Sequence, residues 1–172
     1  DDVKLELLTH LLSNGKHLLV EKPLFASDNS ALEELARIAK SKGVACYTAY
    51  NHRFEPHFVR MKKTIESGRL GKIYCVRMFY GNGTARLVRD SAWRDQGAGV
   101  LPDLGSHLLD TALFWFGKPS VPFEIYSSNR FENSSFDHFS FGANGSPVLQ
   151  LEMTLLNWRN HFYADVFAEK GS

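Results

Sequence analysis

Three side chains of this sequence, Lys22, Asp103 and His107, are of the types that bind a hydroxyl group and move its proton. A lysine can donate a hydrogen bond to a substrate hydroxyl, and a desolvated lysine with a lowered pKa can also take part in proton transfer. A histidine changes its charge near neutral pH, and an aspartate beside it can hold one imidazole tautomer and raise its basicity. These residue types predict acid–base chemistry at a hydroxyl group.

Lys22 belongs to the tripeptide Glu21-Lys22-Pro23, which directly follows an apolar, strand-like run at residues 17–20. A lysine in this place stands at the carboxyl edge of a sheet, and in open α/β sheets that edge faces the ligand crevice. Pro23 restricts the backbone after the lysine, and an X-Pro bond is where cis peptide bonds occur. The alternative interpretation is an ordinary strand end followed by a surface turn.

Asp103 and His107 are four residues apart at the start of a predicted helix, so they share one face. The helix dipole favours the negative charge of Asp103 in this position. Asp110 lies three residues beyond His107 and could orient the other side of the imidazole. Gly97 and Gly99 would let the backbone come close to a ligand. The alternative is structural, with Asp103 as a helix cap and His107 as a half-buried histidine whose hydrogen bonds are satisfied.

Helix and strand patterns alternate in the first fifty residues. The first helix repeats apolar residues at helical spacing, namely Val3, Leu7, Leu8, Leu11 and Leu12, and the second does so with Leu32, Leu35, Ala36 and Ala39. Strands are predicted at residues 17–20 and 44–50, and either Ser27-Asp28 or Ser30-x-x-Glu33 can cap the second helix. This order predicts that residues 1–50 form the later part of a doubly wound parallel α/β sheet.

Residues 51–172 have a different pattern, which predicts an α+β domain. The pattern begins with an irregular loop at 51–56, a helix to residue 67 and a strand at 73–80. A long loop to residue 99 and a helix at 104–116 come next. Strands then follow at 121–130, 136–141, 147–156 and 159–168. We expect an open, largely antiparallel sheet with helices on one face.

The late strands are rich in phenylalanine. The phenylalanines in question are Phe136, Phe139, Phe141, Phe162 and Phe167. We interpret them as sheet core or as a dimer face. A half-exposed sheet carrying such side chains is a poor solvent surface, so we expect the chain to associate through it as a homodimer or homotetramer.

The composition excludes several classes of function. The 172 residues carry a net charge of +1 without a dense basic block, so no nucleic-acid or anionic-membrane surface is expected, and no apolar run is long enough to span a bilayer. No H-E-x-x-H or C-x-x-C motif is present, so no metal site is expected. Cys46 and Cys75 are predicted to be reduced core thiols, which suits a cytoplasmic protein, although a redox pair is the alternative.

Both ends of the sequence suggest an internal piece of a longer protein. The chain begins without methionine inside a helix pattern and stops at Glu169-Lys170-Gly171-Ser172, which is typical of a strand and turn that continue. No G-x-G-x-x-G fingerprint for a dinucleotide pyrophosphate occurs in the sequence. We expect this piece alone to be inactive, because it lacks the strand, glycine-rich turn and helix that anchor a pyrophosphate.

Three motifs occur together in a specific order. They are Glu21-Lys22-Pro23, then Asn51-x-Arg53-Phe54-x-Pro56, then Gly97-x-Gly99-x-x-x-Asp103-x-Gly105-x-His107-x-x-Asp110. In order and spacing they resemble the glucose-fructose oxidoreductase / inositol dehydrogenase / MocA family of NAD(P)-dependent sugar and polyol dehydrogenases. The resemblance extends to about Pro119. Ala98 departs from it, because a third glycine is common there.

The resemblance implies a fold, a reaction and roles for particular residues. Residues 1–50 would be the C-terminal portion of a Rossmann domain and residues 51–172 an incomplete substrate-binding and oligomerisation domain. The reaction would be hydride transfer between NAD or NADP and a sugar, polyol or sugar derivative. The resemblance implies that Lys22, Asp103 and His107 are catalytic. It implies that the same three residues bind the substrate together with Trp93 and Arg94. The implied cofactor-binding residues are Glu21, Lys22, Pro23, Asn51 and Arg53.

Two other functions stay open at this point. One is a glycosidase of the same family, which uses bound NAD for transient oxidation and elimination. The other is a non-catalytic sugar-binding or dimerisation module that carries unused motif residues.

Overall fold

The computed structural model describes residues 2–24 and 29–172, with side chains from residue 4 onward. The chain divides into two compact units, Asp1–Tyr50 and Asn51–Ser172. The predicted cap Ser27-Asp28 lies outside the described residues. The other predicted cap, Ser30, lies inside a helix that begins at Asn29, so it is not the cap residue.

The first unit is a short α/β segment with two parallel strands. Its elements are α1 (Asp2–Ser13), β1 (Leu18–Val20), α2 (Asn29–Lys42) and β2 (Cys46–Thr48). Leu18 is paired with Cys46 and Val20 with Thr48, so both strands end at the same edge. Because α2 lies between the two parallel strands in the chain, the unit has the β-α-β order that the sequence predicts.

The core of the first unit is built by one stripe from each helix and by β1. Its buried side chains are Leu8, Leu12, Val20, Leu35, Ile38 and Ala39. Ala36 was expected in the buried stripe of α2, but its side chain is exposed. Ile38 and Ala39 follow Leu35 at the i+3 and i+4 spacing of a single helix face, whereas Ala36 is turned about 100° away from Leu35.

The second unit contains five strands and three α-helices among its described elements. They are α3 (Pro56–Glu66), β3 (Ile73–Gly81), α4 (Ala85–Arg89), α5 (Ser106–Phe116), β4 (Glu124–Asn129), β5 (His138–Asn144), β6 (Val148–Thr154) and β7 (His161–Ala168). Two further turns differ from the prediction. Asn51–Phe54 is a 3₁₀ turn where an irregular loop was expected, and Leu101–Gly105 is a π-helical turn that leads directly into α5.

The five strands form one sheet in the order β4-β5-β6-β3-β7. Every neighbouring pair is antiparallel except β3 and β6, which are parallel. The last strand therefore pairs with β3 and not with β6, its predecessor in the chain. The open, largely antiparallel sheet predicted from the sequence is confirmed. The local sequence patterns did not predict that β3 lies between β6 and β7.

The inner face of the sheet holds the main hydrophobic core. Its buried strand residues are Val76, Met78, Phe139, Phe141, Ala143, Leu149, Leu151, Met153 and Val166. Helix α5 and the π-helical turn contact β3 and β6 across this face. The helix contributes Leu108, Ala112 and Trp115, as its apolar spacing predicts.

Four of the five phenylalanines belong to the sheet core, which was one of the two interpretations, and only the fifth is exposed as an association face requires. Phe139 and Phe141 are buried in the core, and Phe136 and Phe162 pack against it. Only Phe167 of the five is exposed, at 40%. The physical reason is the two-residue period of a strand, which places Phe162 and Phe167, five residues apart, on opposite faces of β7.

The outer face of the sheet is mixed in character. Phe79 and Tyr163 are cross-strand partners whose stacked rings lie 5.4 Å apart. Arg77 faces Asp165 across the same strand pair, and its guanidinium lies 5.8 Å from the ring centroid of Phe167. This face therefore combines aromatic and charged side chains.

Two carboxylates hold the segment that follows β4. Asp137, which is fully buried, accepts backbone N–H hydrogen bonds from residues 131–133. Asp95 accepts the backbone N–H groups of Ser134 and Ser135, and these bonds hold the pKa of the Asp95 carboxyl below its ordinary value. The segment ends at Phe136, whose carbonyl oxygen accepts the N–H of Val100 at 2.8 Å.

Neither Cys46 nor Cys75 is in a disulfide. Both thiols are half-buried, whereas the sequence predicted that they lie inside the core. Burial raises the pKa of the Cys46 thiol. Within residues 2–24 and 29–172, no helix has both the length and the apolar character needed to cross a bilayer.

Gly99 is expected to be far more sensitive to substitution than Gly97. Both have positive φ angles, 52° and 60°, in which an L side chain costs about 1–2 kcal/mol. A Cβ on Gly99 would also overlap the carbonyl oxygen of Phe136, whereas a Cβ on Gly97 would meet nothing within 4 Å. Urea unfolding should therefore show a loss of about 1–2 kcal/mol for Gly97→Ala and a clearly larger loss for Gly99→Ala. Equal losses would contradict this packing.

Candidate active site

Lys22 follows β1 at the carboxyl edge of the two parallel strands, as predicted. The ammonium of Lys4, on α1, donates to the carbonyl oxygens of Glu21 at 3.0 Å and Pro23 at 3.1 Å. These two hydrogen bonds fasten the backbone on both sides of Lys22. The Lys22–Pro23 peptide bond is cis. Sequence reasoning did not identify Lys4, since a lysine on a first-unit helix carries no signal of its own.

Asp103 and His107 are carried by the π-helical turn and the first turn of α5. Asp103 lies inside the turn Leu101–Gly105, and His107 lies one residue after the start of α5. A Cβ on Gly105 would come within 2.9 Å of the Met153 sulfur, so the glycine lets this turn pack closely on β6. π-Helical turns are rare and occur frequently at functional sites.

Gly97 and Gly99 were predicted to allow close approach of a ligand. The structure gives Gly99 another partner, because its Cα faces the Phe136 backbone. Together with the hydrogen bond from Val100 to Phe136, this contact fixes the start of the helix that bears Asp103 and His107. The glycine is thus needed for a backbone-to-backbone contact within the protein.

The imidazole of His107 is buried, with 8% of the residue exposed, and aromatic rings surround it. The ring of His52 lies edge-on at 4.8 Å between centroids, and the ring of Tyr80 lies edge-on at 6.0 Å. Phe162 contacts both His52 and Tyr80, at 5.5 and 5.6 Å. The sequence motifs identified His107 but gave no indication of this wall, which comes from the 3₁₀ turn, β3 and β7.

Tyr80 is a polar group at this site that sequence reasoning missed. Burial raises the pKa of its hydroxyl, and the negative charges of Asp103 and Glu55 raise it further. The phenol therefore stays protonated, and able to donate a hydrogen bond, to a higher pH than an exposed tyrosine. Tyr80 lies two residues after the buried Met78 near the end of β3, so the two-residue period of the strand places both on the inner face. This period was the local signal that could have identified Tyr80.

Asp110 binds Arg53 in the structure, whereas the sequence suggested that it could orient His107. The carboxylate accepts hydrogen bonds from Nε and Nη2 of Arg53 at 2.7–3.0 Å. The guanidinium also lies 5.3 Å from the Phe114 ring centroid. This bidentate ion pair joins the 3₁₀ turn to α5.

Asn51 and His52 both contact the carboxylate of Glu55. The Asn51 amide donates to Oε1 at 3.1 Å, and His52 Nδ1 is 2.9 Å from the same oxygen. Glu55 also precedes the first residue of α3, and Pro56 in the next position favours the start of that helix. The Asn51 and Arg53 side chains predicted to bind cofactor thus both have carboxylate partners within the second unit.

Trp93 and Arg94 lie on an exposed loop after α4. Trp93 is 79% exposed, and the guanidinium of Arg94 lies 5.9 Å from its ring centroid. Their assignment to the substrate site stays a prediction. Among the described residues, no cluster of three or more His, Cys, Asp or Glu side chains is arranged to hold a metal ion.

The described side chains around His107 can exchange a proton with a ligand and donate hydrogen bonds to it. His107 and Tyr80 carry the protons, Asp103 supplies negative charge, and the aromatic wall restricts access of water. This chemistry suits a substrate with hydroxyl or carbonyl groups.

Curated relatives align with about 70% of this chain. An uncharacterized oxidoreductase of Schizosaccharomyces pombe is 39% identical over 121 residues, which are 69% of this chain and 32% of that protein. The scyllo-inositol 2-dehydrogenase (NADP(+)) IolW of Bacillus subtilis is 32% identical over 128 residues, 73% of this chain and 35% of that protein. The chain therefore spans about a third of the length of these relatives.

A solved structure has the same fold, and a family model covers more than half of the chain. An inositol dehydrogenase homolog from Azotobacter vinelandii, complexed with NADH and myo-inositol, is 20% identical and superposes with a TM-score of 0.82 over 96% of this chain and 45% of that one. The model of the GFO/IDH/MocA C-terminal domain matches residues 58–172. This chain belongs to the GFO/IDH/MocA family, as the ordered motifs indicated.

Proposed function

We propose that the protein containing this chain is an NAD(P)-dependent oxidoreductase that transfers hydride between the nicotinamide and a CH–OH group of a sugar, polyol or sugar derivative. The observation that carries the proposal is the buried His107, held beside Asp103 and Tyr80 on the domain that defines the family. The naming of one relative as an inositol dehydrogenase that uses NADP(+) supports the substrate class.

His107 is the acid–base group in this proposal. In the oxidation direction, the imidazole accepts the proton of the substrate hydroxyl as the carbon gives up its hydride to the cofactor, and a carbonyl group forms. In the reduction direction, the imidazolium returns the proton to the carbonyl oxygen. Burial of the ring suits this role, because it keeps water away from the transferred proton.

Lys22 and Asp103 bind the reacting hydroxyl in the proposal. The Lys22 ammonium donates to the hydroxyl oxygen and stabilises the negative charge that develops there. Asp103, half-buried in the π-helical turn, accepts a hydrogen bond from a substrate hydroxyl and favours the protonated form of His107. The protonated Tyr80 hydroxyl is a further hydrogen-bond donor for the substrate in this proposal.

The residues present fit a nicotinamide cofactor at the edge of the parallel strands. Val20 and Thr48 end side by side, which is the edge at which doubly wound sheets bind dinucleotides. The Glu21–Pro23 segment and Asn51 would contact the nicotinamide half. Arg53 would act mainly by positioning the 3₁₀ turn, since Asp110 already binds its guanidinium. When bound, NAD or NADP supplies the hydride chemistry.

Association through the outer face of the sheet is the proposed assembly. Phe79, Tyr163 and Phe167 form an aromatic patch there, with Arg77 beside it. Exposed aromatic residues with an arginine at the edge are typical of protein–protein interfaces. A homodimer or homotetramer is proposed, and a cytoplasmic location stays a prediction.

His107→Ala in the full-length protein should lower kcat for polyol oxidation by about 10²-fold or more, with a smaller change in cofactor affinity, because the proton acceptor is lost. Steady-state kinetics with scyllo- and myo-inositol and either cofactor would measure this. A near-normal kcat in the variant would contradict the assignment. Release of nitrophenol from a nitrophenyl glycoside without net reduction of NAD would instead identify a glycosidase.

The pKa of Tyr80 should fall toward its ordinary value in Asp103→Asn, because removal of a negative charge makes the tyrosinate less costly. Titration of ¹³Cζ-labelled tyrosine by NMR would follow this, with Tyr80→Phe used to assign the resonance. The surface variant Asp90→Asn is the matched control and should leave the titration unchanged. An unshifted Tyr80 in Asp103→Asn would show that Asp103 faces elsewhere.

Phe167→Glu should weaken the oligomer, because it places a charge in the aromatic patch of the outer face. Light scattering on the full-length protein at micromolar concentration would report the mass. Leu87→Glu, which changes an exposed leucine on α4, is the control and should keep the wild-type mass. A monomeric wild-type protein would contradict the proposed assembly.

A further inference from the structure

A second imidazole, that of His52, lies against the candidate acid–base residue. Its ring stacks on Phe58 at 4.5 Å and meets the ring of His107 edge-on at 4.8 Å. The His52 side chain is 12% exposed, so it is nearly as buried as His107. No motif pointed to this residue, and the proposed reaction does not yet use it.

A hydrogen bond to Glu55 fixes the ring of His52. Nδ1 is 2.9 Å from the Glu55 carboxylate, which can only accept, so Nδ1 carries a hydrogen. Nε2 is buried and has no hydrogen-bond partner among the described residues. The contact with Glu55 therefore sets the orientation of the imidazole.

Glu55 is itself held in place from several sides. Asn51 donates to Oε1 at 3.1 Å, and Nε2 of the exposed His57 lies 3.4 Å from Oε2. Glu55 is thus a fixed negative charge one imidazole away from His107. Its effect on the pKa of Tyr80 shows that its field reaches the pocket.

We propose that His52 and Glu55 form a positioning pair for His107, in which the His52 ring fixes the orientation of the His107 ring and Glu55 supports its protonated form. The pair acts through His107, so this inference rests on the proposed acid–base function. A carboxylate–imidazole pair locks one tautomer, and a negative charge near a second imidazole favours its cationic form.

Other ionisable groups face the same pocket and contribute to its pH dependence. They are Tyr80 on β3 and Asp103 in the π-helical turn. The Arg53–Asp110 ion pair joins the 3₁₀ turn and α5 nearby. His57 lies on the outer side of Glu55. The described contacts of Glu55 are with Asn51, His52 and His57, and the Arg53–Asp110 pair is internally neutralised. A Glu55→Gln variant therefore removes one charge and keeps an oxygen that can accept the His52 hydrogen bond.

Glu55→Gln in the full-length enzyme is the direct test. Loss of the charge should move the titration of His107, followed by ¹⁵N–¹H NMR and assigned with His107→Gln, to lower pH. In oxidation the neutral imidazole is the active form, so kcat/KM on the acidic limb of its pH profile should rise about three- to tenfold. Glu66→Gln, which removes a charge paired with Lys62 at the other end of α3, should change neither measurement.

His52→Phe is the second variant, for the case in which Glu55→Gln fails to fold. It keeps a ring that stacks on Phe58 but removes the hydrogen bond that locks it, so kcat should fall about tenfold while KM for the cofactor stays constant. An unchanged His107 titration in Glu55→Gln, or wild-type kcat and pH profile in His52→Phe, would overturn the inference. Absence of dehydrogenase activity with a shifted titration would instead refute the proposed function alone.

Discussion

The packing of α5 and its π-helical turn on the inner face of the sheet is the interaction on which the second unit depends. Leu108 and Ala112 are fully buried there, and Gly105 allows the turn to approach Met153. Burial of a leucine side chain of this kind contributes about 1.5–3 kcal/mol. Because one helix provides both the core stripe and His107, the stability of the fold and the direction of the imidazole are linked.

Carboxylates then fix the parts of the site that hydrophobic packing leaves undetermined. Asp110 binds Arg53 and joins the 3₁₀ turn to α5, while Glu55 binds Asn51 and His52 within that turn. The Asp95 and Asp137 carboxylates hold the segment that meets Gly99 before the helix. Asp110 and Asp137 are buried, and each accepts several hydrogen bonds that compensate for the loss of water.

The sequence predicted the elements and the family better than it predicted the environment of the site. Periodicity identified the buried stripe of α5, and the ordered motifs identified Lys22, Asp103 and His107 as candidates. The same patterns could not show that β3 pairs with β6 and β7, because that pairing joins residues about seventy or more positions apart. Tyr80 and Phe162 reach the pocket only through this pairing. The partner of Asp110 was missed for a related reason, since Arg53 lies 57 residues away.

In the proposed reaction of the full-length protein, Lys22 binds the same substrate hydroxyl from which His107 takes the proton. A crystal structure of the full-length protein with NAD(P)⁺ and a bound polyol is the direct test of this proposal. The expected result is one hydroxyl oxygen within about 3 Å of both the Lys22 ammonium and the His107 imidazole, next to Asp103. A ternary complex in which Lys22 lies more than about 10 Å from His107, with the hydroxyl bound by only one of them, would contradict it.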